Sequence, residues 1–181
     1  MSDSPATLYL KDVDAQARDL KKLADRALAQ VSDDDLFETL GRESNSLAVL
    51  LQHLGGNLRS RWTDFLTTDG EKPDRNRDSE FETAEETTRA DLLARWEEGW
   101  SRLFGTLASL TEADLTKTVT IRSEPHTVIR AIDRSLTHAA YHVGQIVFLC
   151  KVFADDAWQT LSVPRGGSAA FNEKMAGKAG G

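Results

Sequence analysis

The chain predicts an all-α domain built as a four-helix bundle, and three observations carry that prediction. Four long segments repeat apolar residues at the three-and-four spacing of an amphipathic helix. One short stretch, residues 117–122, alternates as a strand or extended link would. The connectors after the first and third segments, Val31-Ser32-Asp33-Asp34-Asp35-Leu36 and Leu110-Thr111-Glu112-Ala113-Asp114-Leu115, echo one another and divide the chain into two helix pairs. The 181 residues fit one domain, with a core over about residues 8–155 and a tail over 156–181.

The first helix is expected over residues 8–31, with Leu10, Val13, Ala17, Leu20, Ala24, Ala27, Leu28 and Val31 as its stripe. Asp14–Arg18 and Lys21–Asp25 lie one turn apart, off that stripe. Short polar side chains at Ser32 to Asp35 compete for backbone hydrogen bonds and end it. The second helix is expected over residues 44–66, with Leu47, Leu50, Leu51, Leu54, Leu58, Trp62 and Phe65 apolar. Gly55-Gly56 interrupts it and suits a place where another backbone or a ligand comes close. Residues 67–83 form a long polar loop. The third helix is expected over residues 85–110, with Ala90, Leu93, Trp96, Trp100, Leu103, Phe104 and Leu107 as its stripe. Pro125 suits the start of the fourth helix, which should reach about Phe153. Residues 169–176 suit a short helix in the tail, and the last residues, Gly180-Gly181, a loose end.

The balance of 22 Lys+Arg against 29 Asp+Glu gives a net charge of −7, which argues against nucleic acid and anionic membranes as partners. No apolar stretch approaches the roughly 20 residues of a membrane span. Cys150 is the only cysteine, which excludes an internal disulfide and points to the cytoplasm. The opening residues, Met1-Ser2-Asp3-Ser4-Pro5, lack the pattern of a signal peptide.

The chemistry lies in the histidines. His138 and His142 form His-x-x-x-His on a helix, so both rings project from one face, one turn apart. His53 sits mid-way along the second helix and reaches the same point if the second and fourth helices are neighbours. Three neutral imidazoles suit zinc, nickel, copper or ferrous iron, and three protein ligands leave coordination positions open. His126, at the expected start of the fourth helix, reads as a cap or surface residue. Asn57 and Arg61 follow His53 by one and two turns; Asn57 suits either hydrogen-bonding a metal-bound water or substrate or closing a bundle end, and Arg61 suits either a substrate carboxylate or, preferably, a salt bridge. Gln145 follows His142 by three residues and suits either orienting a ligand or satisfying a buried backbone group. Glu43 and Asn45 are too far from His53 to ligate. Trp62, Trp96 and Trp100 read as core, Tyr141 as core or interface, and Cys150 as a buried hydrophobe. Arg75, Asn76, Arg77 and Asp78 read as part of a solvated loop that could also cover the site or a dimer partner.

One histidine in the second helix, then His138, His142 and Gly144-Gln145 in the fourth, resemble the DinB superfamily. The strings His53-Leu54-Gly55-Gly56-Asn57-Leu58, Arg61-Trp62-Thr63-Asp64-Phe65-Leu66-Thr67-Thr68-Asp69-Gly70-Glu71-Lys72 and Pro164-Arg165-Gly166-Gly167-Ser168 resemble an uncharacterised branch of it. The resemblance implies up-down-down-up connectivity, zinc or nickel on His53, His138 and His142, and a homodimer. It also implies a metal-dependent enzyme, a hydrolase or a transferase using a low-molecular-weight thiol. No Asp or Glu lies within one turn of the histidines on their own face (Asp133 and Asp64 are five and eleven residues away), which favours thiol transfer over hydrolysis. The alternative is a non-catalytic metal-binding or stress-response module.

Overall fold

The computed structural model describes residues 3–179, so the tail end at Gly180-Gly181 lies outside the described residues. Five helices and a two-stranded hairpin follow in the order α1 (Pro5–Leu28), α2 (Leu47–Trp62), α3 (Arg89–Ser109), β1 (Thr118–Ile121), β2 (Glu124–Thr127), α4 (Val128–Ala154) and α5 (Ser168–Ala179). The first four long helices form the bundle.

Capping chemistry sets most boundaries. Ser4 accepts from the Thr7 N–H and Pro5 fills the first turn, so α1 starts earlier than its apolar stripe suggests. Ser46 caps α2, three residues later than expected, and Asp64 (φ 47°) ends it in a left-handed conformation. Phe65 therefore leaves the helix and stacks on Trp62 at 4.8 Å between ring centroids. Thr88 and Asp91 form a reciprocal capping box, which delays α3 to Arg89. On α3 Leu92 is fully buried with Trp96, Trp100 and Leu103, whereas Leu93, expected in the stripe, is half-buried and Ala90 is exposed. Thr127, not Pro125, caps α4. Pro125 stands in β2 opposite Thr120, where a two-stranded hairpin asks nothing of its missing N–H.

The echoing connectors fold alike. Ser32 and Asp35 exchange backbone and side-chain hydrogen bonds, as do Thr111 and Asp114. Each box closes a short 3₁₀ turn that seats a buried leucine, Leu36 or Leu115, in the core.

Contacts along the helices fix their directions. Gln52 meets Arg95 and the Trp62 carbonyl meets Thr106, so α2 and α3 run parallel. Asp25 meets Trp96 and Arg18 lies over Phe104, so α1 opposes α3. Tyr9 bonds Asp133 near the starts of both α1 and α4, which run parallel. The bundle is up-down-down-up. The core includes Trp62, Trp96, Trp100 and Cys150, and burial pushes the Cys150 thiol up to about 12. His126, expected as a cap or surface residue, is buried on the inner face of β2 opposite Val119. Tyr141, expected in a core or interface, is 64% exposed. The segment after α4 is fastened to the turn that follows α1 by Gln30–Gln159 hydrogen bonds.

The glycines of α2 have separate reasons. A Cβ on Gly55 would stand 2.8 Å from the Arg95 carbonyl oxygen, and one on Gly99 would stand 2.6 Å from the Gly55 oxygen. The α2–α3 backbones meet at this pair. Gly56 faces the Glu80 carboxylate instead. Gly99→Ala should destabilise the fold by about 1–3 kcal/mol through forced separation of the helices. Gly105→Ala, in open space on the same helix, should stabilise it by roughly 0.5–1 kcal/mol. Chemical denaturation of the two variants checks both signs.

Candidate metal centre

The antiparallel packing of α2 on α4 brings His53 against His138 and His142. Nε2 of His138 lies 3.3 Å from Nε2 of His53 and 3.1 Å from Nε2 of His142. One ligand atom from each of the three residues falls within 4.8 Å of the others, close enough to share one ion. His53 and His142 are 5% and 7% exposed, so these rings have little water to turn to.

The outer nitrogens decide the tautomers. Nδ1 of His53 is 2.9 Å from Oε2 of Glu80, an acceptor when ionised, so Nδ1 carries the proton. Nδ1 of His142 is 2.8 Å from Oε1 of Gln145, which gives the same result. Both Nε2 atoms are therefore lone pairs aimed at His138. The Nδ1 of His138 is buried without a hydrogen-bond partner. A proton on its Nε2 can satisfy only one of the two facing lone pairs. The cluster is short of hydrogen atoms and has the electrostatics of a cation site.

Glu80 comes from the loop between α2 and α3, which sequence reasoning took as solvated. Its carboxylate is buried, with Oε1 2.7 Å from Nε of Arg75 and Oε2 2.8 Å from Nη2 of Arg75. Burial opposes ionisation of Glu80, but hydrogen bonds from His53 and Arg75 outweigh it and hold the carboxyl below its ordinary range. Phe81 packs on the His53 ring at 5.0 Å. A second anchor lies at Asp69. Burial raises its pKa, yet the backbone N–H groups of Glu71, Ser123 and Arg122 prevail and hold it down to about 2. The loop is thus fastened to the turn of the β1–β2 hairpin at one point and to His53 at another. Arg122 and Ser123 adopt positive φ (54° and 63°), as such a tight hairpin turn requires.

Beside the histidines lies a cavity of about 180 Å³, walled by His53, His138, Asn57, Arg61 and Ser135. Asn57 and Arg61 do share the His53 face, as their spacing predicts. Arg61 makes the salt bridge that its setting favoured, with Glu71 at 3.4 Å, and its Nη1 is buried without a hydrogen-bond partner. Burial, then the nearby Arg75, Arg134 and Arg122, lower its pKa to about 10 against the pull of Glu71, so it stays charged near neutrality. Gln145 accepts a hydrogen bond from His142. Glu80 and Arg75 were not foreseen as site residues. They lie 27 and 22 positions after His53 in sequence, and the one available signal was the charge density of the loop.

A family model described as "Protein of unknown function (DUF1572)" matches residues 4–167. Among solved structures, the crystal structure of a DinB-like protein, YjoA, from Bacillus subtilis superposes with a TM-score of 0.62. It is 14% identical, and the match covers 83% of this chain and 96% of that one. At that identity the likeness is one of fold, and it gives this bundle the DinB-like architecture. No curated protein matches the sequence.

Burial, then the charges that His142, His53, Arg61 and Arg75 would present, lower the pKa of His138 from 6.5 to about 3. The unfolded chain takes up that proton near 6.5 and the folded chain only near 3. Stability of the metal-free protein should therefore be full above about 6.5 and fall steadily as the pH drops toward 3. Denaturation midpoints across this range should show that fall, and a His138→Asn variant should flatten it. An equal slope in the variant would assign the pH dependence to other groups.

Proposed function

Because this chain belongs to the family described as a protein of unknown function, DUF1572, a description that carries no activity, we propose a function from the geometry: a metal-dependent enzyme. One divalent ion, zinc or nickel, is held by Nε2 of His53, His138 and His142. The observation that carries the reading is the convergence of three imidazole nitrogens with too few protons among them. Nitrogens about 2.1 Å from a tetrahedral ion lie roughly 3.4 Å apart, close to the 3.1 and 3.3 Å spacings. Imidazole donors suit zinc and nickel. Glu80 and Gln145 orient two of the three rings and raise their basicity.

When bound, such an ion acts as a Lewis acid that lowers the pKa of water or a thiol in an open position. The chain's own groups then choose between those two. Among the described residues, no Asp or Glu lines the cavity. Both oxygens of Glu80 are already engaged by His53 and Arg75. No carboxylate is free to act as a general base, and transfer involving a low-molecular-weight thiol is favoured over hydrolysis. Asn57 offers an amide to the substrate beside the histidines. A homodimer belongs to the same proposal. Tyr141, Phe148 and Val152, spaced seven and four residues apart on α4, are 64%, 59% and 41% exposed and form an apolar stripe suited to a second copy.

Metal analysis of protein purified without a histidine tag should find about one zinc or nickel per chain. His142→Ala should lose it, and Glu80→Gln should weaken binding by about 10–100-fold while keeping the fold. No bound metal and no uptake on adding either ion would leave three packed histidines. Chelation that lowers the melting temperature, with no loss of any thiol-transfer activity, would point to a non-catalytic module. Sedimentation of Phe148→Glu beside the parent chain tests the dimer, which the variant should dissociate.

A further inference from the structure

Five arginines line the small cavity next to the histidines: Arg61, Arg75, Arg77, Arg122 and Arg134. The whole protein carries a net charge of −7, so this concavity runs against the general sign of the molecule. Two anchored carboxylates serve three of the five. Glu71 is shared by Arg61 at 3.4 Å, Arg75 at 3.3 Å and Arg122 at 3.1 Å. Glu80 serves Arg75 and also accepts from His53. Arg77 pairs with Asp78 at 3.9 Å, whose side chain is 96% exposed, and lies over the Phe81 ring at 4.9 Å. Arg134 has no ion pair among the described residues, and the buried Nη1 of Arg61 has no hydrogen-bond partner.

Buried guanidinium donors without acceptors are unfavourable unless an anion takes them up. Arginine presents its donors in a planar fork that fits carboxylate and phosphate oxygens in pairs. The cavity, about 180 Å³, is smaller than the roughly 300–1,000 Å³ of pockets that hold drug-sized ligands. Its wall is continuous with His53 and His138. We propose that this cavity is an oxyanion subsite, which takes the carboxylate or phosphate of a small substrate and presents the rest of that molecule to the three histidines. The charge argument stands without a metal; only the orientation toward the histidines rests on the metal-dependent reading.

The subsite and the metal centre can be tested apart. Protein stripped with a chelator, and protein loaded with one equivalent of zinc, are each titrated calorimetrically with inorganic phosphate and with succinate. The stripped protein should bind at least one of the two anions with one-to-one stoichiometry and with affinity that falls as salt rises. The preferred anion identifies phosphate or carboxylate as the recognised group. Arg134→Met removes an exposed side chain and should leave the fold intact while weakening anion binding by about tenfold or more. Arg61→Lys keeps the charge, loses the fork and should also weaken it. Anion binding in a protein that takes up no metal would sink the metal centre and leave the subsite standing. No binding of either anion to either form, or equal affinity in the parent chain and Arg134→Met, would overturn the proposal.

Discussion

The Glu80 carboxylate holds the site together. It is a buried negative charge between His53 and Arg75, and it comes from a loop rather than from the bundle. A buried carboxylate is unfavourable alone and becomes tolerable only when its oxygens are hydrogen-bonded by cations or strong donors. Glu80 meets that condition by accepting from Nε and Nη2 of Arg75 and from the His53 N–H. The consequences run outward. His53 is locked in one tautomer and one orientation, the loop is drawn onto α2, and Gly56 must remain without a side chain to leave room. Removal of the carboxylate would release all three at once.

The loop that supplies Glu80 is long for a topological reason. Parallel neighbours cannot be joined by a tight turn, and α2 and α3 run parallel. The chain must travel back along the length of α2, a 16-residue helix roughly 24 Å long, before α3 begins. Up-down-down-up connectivity therefore requires a long excursion beside the second helix, where His53 lies. The Gly55–Gly99 contact is the other half of this arrangement. It lets the two parallel helices approach at the backbone and leaves the opposite face of α2 to α4, where the histidines meet.

The elements most legible in the sequence were those governed by local chemistry. Helical spacing gave four bundle helices, and His-x-x-x-His gave a shared face. The acidic connectors gave twin turns because Ser32–Asp35 and Thr111–Asp114 are self-contained boxes. Boundaries shifted where a cap outranked the apolar period, as at Ser46, Thr88 and Thr127. Pro125 misled because proline fits a helix start and an edge strand equally well. His126 misled because the alternation of a hairpin, not the end of a helix, decided which way it faced. The arginines from four separate segments, and Glu80 with them, could not be assembled from spacing at all. Their proximity depends on where a loop lands, and that is set by buried charge pairing across long sequence separations.

The double fastening of the loop has a kinetic meaning. Asp69 grips the hairpin turn through the backbone N–H groups of Arg122 and Ser123, and Glu80 grips His53. For the His53 ring to swing outward, the ion pair behind it must first come apart. For the ion proposed above, exchange at the three nitrogens would be gated by an opening motion of the protein and not by the lability of the bonds at the centre, and its residence time would be a property of the loop.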